Sequence, residues 1–194
     1  MKSALAAICC LLILSSAACQ KKTDPSTLQK TSGASVAAGV PRNVSAVIAV
    51  ENRTEKKVPL FSWTDENGKK ITIDEFAQGG GVLVNFWATW CGPCRKEIPD
   101  LVALDSDYRA KGVKIIGISL DRDGDAMATV SEFVSGAAIK YPIVIDNGDL
   151  EKAFGGIRGI PTTFFVDKNG MITKRMIGLQ SKAAFAQSMD AVKP

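Results

Sequence analysis

The chain has 194 residues, 46% of them hydrophobic and 23% charged, which suits one packed domain with a leader or tail. Its formal charge of +4 is small and spread along the sequence, without alternating basic and aromatic residues, and this argues against nucleic-acid binding. Histidine is absent, which excludes Ser–His and Cys–His catalysis and removes the usual nitrogen ligand of zinc or copper.

Residues 1–18 read as a secretory signal: Lys2, an apolar run from Ala4 to Leu14, then small residues up to Ala18. The run is too short to anchor the chain across a bilayer. Ser16-Ala17-Ala18-Cys19 resembles the bacterial lipoprotein cleavage box, with Ser16 where that box usually carries Leu. Cys19 would then become a lipidated first residue, resting the protein on a membrane surface. Ordinary signal cleavage nearby is the rival reading. Either cut discards Cys9 and Cys10, so the body keeps only Cys91 and Cys94. A pair three positions apart is no structural disulfide framework, and a secreted chain retaining it points to redox or metal work.

Residues 19–57 read as the lipidated N-terminus and a tether, polar and small from Gln20 to Arg42. Val44 to Val50 has the composition of a strand whose place in the fold is open. The domain is expected over 58–194. Leu60 to Thr64 and Ile71 to Ile73 flank the Asn67-Gly68 turn as a hairpin, and Gly79 to Gly81 marks a loop. Val82 to Ala88 is an apolar run expected of a strand covered on both faces. From Cys94 onward Ile98, Leu101, Val102, Leu104 and Tyr108 recur at helical spacing, until Lys111-Gly112 stops the helix. Val113 to Leu120 reads as a strand, Asp125 to Val134 as a helix, Tyr141 to Ile145 as a strand and Asp149 to Phe154 as a short helix. Thr162 to Val166 and Met171 to Ile177 form a second hairpin, and Ser181 to Val192 an amphipathic helix. Together these predict an α/β fold, with a central mixed sheet flanked by helices.

Trp90-Cys91-Gly92-Pro93-Cys94 falls between a buried strand and a helix start. Unpaired N–H groups and the positive end of the helix dipole favour a thiolate there. Pro93 suits the first turn, where its missing N–H costs nothing, and Arg95 and Lys96 add positive charge. These features predict a Cys91 pKa lowered from about 8.5 towards roughly 7. Cys91 is then the exposed attacking thiol, and Cys94, one turn deeper, resolves the mixed disulfide. Half of a zinc site is the other use of such spacing, but the body holds no second cysteine pair.

Val84-Asn85-Phe86-Trp87-Ala88-Thr89-Trp90-Cys91-Gly92-Pro93-Cys94-Arg95 resembles the active-site block of thioredoxin-like proteins, most closely the membrane-tethered TlpA/ResA-type subfamily. Gly159-Ile160-Pro161-Thr162-Thr163-Phe164-Phe165-Val166-Asp167 is similar to that family's cis-proline loop. The resemblance covers about residues 58–192 and implies a thioredoxin-like fold with an N-terminal hairpin and an inserted helix and strand within 121–145. It implies a cis Ile160–Pro161 peptide against the cysteines, with Ile160, Pro161, Trp90, Gly92 and Pro93 meeting substrate; without the active-site block, a trans turn before a strand is the favoured reading of that loop. Trp87 is as readily core as site. Asn85 stands where thioredoxin has a buried Asp and cannot accept a proton. The subfamily implies instead a proton role for Glu97, which shares a helix face with Cys94, although spacing alone fits a solvated surface residue. Pro99 matches a helix-kinking proline.

The implied function is thiol–disulfide exchange without a cofactor, on the periplasmic side of a bacterial cell envelope. Expected partners are disulfide-bearing envelope proteins, apocytochrome c among them, and a membrane thiol relay as electron donor, since the dinucleotide fingerprint is missing. A disulfide oxidant or isomerase, a peroxiredoxin-like peroxidase and a metal-delivery protein are the alternatives. The last two fit poorly, for want of a Pro–Thr–Cys setting and of a histidine.

Overall fold

A computed structural model describes residues 41–54 and 56–194. The signal, Cys19 and the tether up to residue 40 lie outside the described residues. Strands β1 (Val44–Glu51), β2 (Leu60–Thr64), β3 (Lys70–Thr72), β4 (Gly81–Trp87), β5 (Val113–Ser119), β6 (Ile143–Ile145), β7 (Thr162–Val166) and β8 (Ile172–Ile177) join in one sheet of order β3-β2-β1-β6-β5-β4-β7-β8. The sheet is mixed. β1, β6, β5 and β4 run parallel, while β2 and β3 on one side and β7 and β8 on the other are antiparallel additions.

β4 is buried at every position, as a strand covered on both faces must be. Its side chains alternate. Leu83 and Trp87 face the layer formed by helices α2 (Gly92–Arg109), α3 (Ala126–Gly136) and α5 (Lys182–Asp190). Val82, Val84 and Phe86 face the opposite layer, with α1 (Ile73–Ala77), α4 (Asp149–Ala153) and the aromatic residues Phe61, Trp63 and Phe154. Gly117 on β5 makes room for the Trp87 indole, since a Cβ there would come within 3.0 Å of Nε1. Trp87 is therefore core.

The body begins earlier than the sequence suggested. Val44–Glu51 is no part of a tether: it pairs with β2 on one side and β6 on the other, bridging the N-terminal hairpin to the rest of the sheet. Apolar composition marked it as a strand, but its neighbours β6 and β2 are set by long-range pairing. The stretch Ile71–Ile73 is likewise divided. The strand ends at Thr72, and Ile73 opens α1 through a capping box in which Thr72 Oγ1 accepts the Glu75 N–H (3.2 Å) and Glu75 Oε2 accepts the Thr72 N–H (2.7 Å). The expected inserted helix and strand are α3 and β6: β6 sits between β5 and β1 and widens the sheet, while α3 packs in the helical layer on one face.

Candidate active site

β4 ends at Trp87, at the C-terminal end of the parallel strands, and a turn closed by the Cys91 N–H on the Ala88 carbonyl (3.1 Å) leads into α2. Cys91 caps that helix in extended backbone, and its sulfur accepts the Cys94 N–H at 3.2 Å. Gly92 and Pro93 fill the first turn and are exposed. Cys91 and Cys94 are joined as a disulfide. Cys94 is 0% exposed and Cys91 5%, so the sulfur expected to be exposed has only a narrow opening. The burial comes from the loop opposite, where the Ile160 carbonyl oxygen lies 3.7 Å from Cys91 Sγ.

The Ile160–Pro161 peptide is cis. The Thr162 hydroxyl donates to the Gly159 carbonyl (2.7 Å) and the Gly178 N–H to the Pro161 carbonyl (2.8 Å), tying this loop to the end of β8. Trp90 stands 68% exposed beside the sulfurs. Ile177, paired across the sheet with Thr162, and Leu179 are further exposed large apolar side chains at this end. Neither was singled out in the sequence; an apolar pair flanking Gly178 at a strand end was the available signal. A cleft of about 750 Å³ runs between α2 and α3 from Thr89 and Arg95 past Phe133. Arg95 lies over the Phe133 ring at 5.8 Å.

Glu97 is not a solvated surface residue. It is 1% exposed, on the buried side of α2. Oε1 accepts Asn85 Nδ2 at 2.9 Å, and Oε2 accepts the Gln180 N–H at 3.3 Å. Asn85 Nδ2 also donates to Thr163 Oγ1 at 3.0 Å. Burial pushes the Glu97 carboxyl up to about 7, against the two hydrogen bonds, which pull it down; the charge of Asp100 adds to the rise. A buried acid titrating near neutrality, three residues after Cys94 on the same helix, is able to hold or release a proton at working pH. Asn85, noted in the sequence only as unable to take a proton, is the amide that orients this carboxyl.

Among the described residues no group of three or more Cys, Asp or Glu is arranged to hold a metal ion, and no helix is long and apolar enough to cross a membrane.

Residues 54–175 match the model of the AhpC/TSA family. The chain is 37% identical over 139 residues to the thiol-disulfide oxidoreductase ResA of Bacillus thuringiensis (strain Al Hakam), covering 72% of this chain and 78% of the relative. Among solved structures it is similar to a thiol:disulfide interchange protein of the thioredoxin family from Chlorobium tepidum TLS, with a TM-score of 0.63, 32% identity and coverage of 73% and 98%. It is also similar to StoA from Bacillus subtilis, with a TM-score of 0.56, 26% identity and coverage of 77% and 98%.

Proposed function

Because the chain belongs to the AhpC/TSA family, and within it to the TlpA/ResA-type thiol–disulfide oxidoreductases of thioredoxin fold, we propose that it reduces disulfides in extracytoplasmic proteins through Cys91 and Cys94. The observation that carries this reading is the Cys91–Cys94 disulfide at the N-terminus of α2, with the carboxyl of Glu97 buried one turn further on.

The cycle begins with the dithiol. The Cys91 thiolate, favoured by the Cys94 N–H and the helix N-terminus, attacks a client disulfide; one client sulfur leaves as a thiolate and a Cys91–client disulfide forms. Cys94 gives its proton to Glu97 and attacks Cys91 Sγ. The mixed disulfide breaks, the second client thiolate departs, and the enzyme holds the bridged form. Two electrons have passed to the client, and an external dithiol returns them. Trp90, Gly92 and Pro93 meet the client from one side. From the other, the backbone of Ile160 beside Pro161 pairs with its extended strand.

The leader and Cys19 support an envelope location with a lipid anchor, facing a periplasmic or equivalent space. Apocytochrome c, whose haem-attachment cysteines must be reduced, is a client of suitable chemistry, and a membrane thiol relay is the electron donor that such a location requires. The reduction potential of the purified protein tests the direction. A value near or below roughly −250 mV supports a reductase, and one near about −120 mV makes the protein an oxidant.

A further inference from the structure

The backbone ladder between β4 and β5 ends at Trp87 and Ser119, and one further bond, from the Leu120 N–H to the Trp87 carbonyl (2.9 Å), extends it by a residue. Beyond that point the chain leaves the sheet through Ala88, Thr89 and Trp90 on its way to Cys91. A side chain takes over where the ladder stops. Asp121 Oδ2 accepts the Thr89 N–H (3.0 Å) and Oδ1 accepts the Thr89 hydroxyl (2.6 Å). Oδ2 also accepts the Ser119 hydroxyl (2.7 Å), and the Asp121 N–H donates to Ser119 Oγ (3.2 Å).

Asp121 is 5% exposed, and no ion pair among the described residues involves it. A buried carboxylate without a countercharge is costly unless its oxygens are filled by donors. Here two of the three donors belong to Thr89, in the turn that precedes the redox sulfur. An amide in its place has a single acceptor oxygen and cannot hold both the hydroxyl and the N–H on separate atoms.

We propose that Asp121 is a positioning residue of thiol–disulfide exchange, fixing the Ala88–Cys91 turn through Thr89 so that Cys91 Sγ stays on the Cys94 N–H and against the Ile160 carbonyl. It touches neither client nor sulfur. Its effect passes through the backbone: a loosened turn moves Cys91 off its N–H donor, and the thiolate loses the hydrogen bond that favours it. The proposal rests on Cys91 being the attacking sulfur and is independent of the client and of the direction of electron flow.

The test uses the reduced full-length protein and follows alkylation of Cys91 by iodoacetamide at neutral pH, site-resolved by mass spectrometry, alongside thermal unfolding. Thr89→Val, which keeps shape and loses the hydroxyl, is expected to slow Cys91 about fivefold, the scale of one hydrogen bond. Thr89→Ser is expected to restore the lost rate. Asp121→Asn should slow Cys91 as well, and adding Thr89→Val to it should bring little further loss, because both cut one link. Should Asp121→Asn fail to fold, the two Thr89 variants decide. A folded Thr89→Val protein with unaltered Cys91 reactivity overturns the proposal, as do equal slowing in Thr89→Ser, additive losses in the double variant, or faster alkylation in Asp121→Asn, which would mean that charge and not position matters. Cys91→Ser separates the failures: if its fast-reacting sulfur persists, the assignment of Cys91 is wrong and not the clamp.

Discussion

Asn85 on β4 and Glu97 on α2 meet beneath the active-site helix through a hydrogen bond of 2.9 Å, and the same Asn85 nitrogen reaches Thr163 on β7. The sheet thereby holds the buried Glu97 carboxyl on the face that α2 turns inward beside Cys94. A neutral amide serves where a second acid would add a competing charge. It steadies the Glu97 carboxyl without taking its proton.

Burial of Glu97 makes stability depend on pH. Its folded pKa of about 7 lies above its ordinary value of 4.5, so the folded state binds the proton more tightly than the unfolded one. The contribution of Glu97 to the stability of the oxidised protein is therefore fully present below pH 4.5 and is lost as pH rises through about 7. The loss has an upper bound of about 3 kcal/mol, at about 1.4 kcal/mol per pH unit. Glu97→Gln should flatten this decline, as read from urea unfolding at a series of pH values. An equally steep slope in the variant would show that another group is responsible.

Removing the amide should push the acid further. In Asn85→Ala the carboxyl loses a bond that favours its charged form, so its pKa should rise above the wild-type value. Stability should fall by about 1–3 kcal/mol, since Thr163 Oγ1 also loses its partner. Carbon-13 titration of the Glu97 carboxyl by NMR reads the shift, and a lower pKa would contradict the orienting role.

The two sulfurs should fail differently. Cys94→Ser is expected to accumulate a Cys91–client mixed disulfide that resolves slowly, visible on non-reducing gels and by mass. Cys91→Ser should form none. Trapping through Cys94 instead would reverse their roles.

Trp90 is mostly exposed, so Trp90→Ala should leave folding stability within about 0.5 kcal/mol. Reduction of a protein disulfide should suffer through KM, while turnover of a small disulfide such as oxidised glutathione changes little. Equal losses on both substrates would place Trp90 in the chemistry and not in client recognition.

The strand Val44–Glu51 should be indispensable. A chain starting at Val58 loses the element that joins β2 to β6, and it should show no cooperative unfolding transition, whereas a chain starting at Pro41 should retain one. Circular dichroism on heating distinguishes them.

The redox pair, the helix that follows it and most strands were legible in the residues, because spacing and apolar periodicity are local and survive without neighbours. Trp90-Cys91-Gly92-Pro93-Cys94 between a continuous apolar run and a helical pattern was sufficient to locate the chemistry. The Thr72–Glu75 capping box was equally local, yet it was hidden by the β-branched run Ile71-Thr72-Ile73. What only the tertiary structure decided is of another kind. Whether Glu97 faces water or the core, which carboxylate holds Thr89, and which strands Val44–Glu51 lies between all depend on segments up to about a hundred residues apart. Burial and long-range hydrogen bonding set the cost of a charge and the partner of a strand, and neither is encoded in the spacing of adjacent residues.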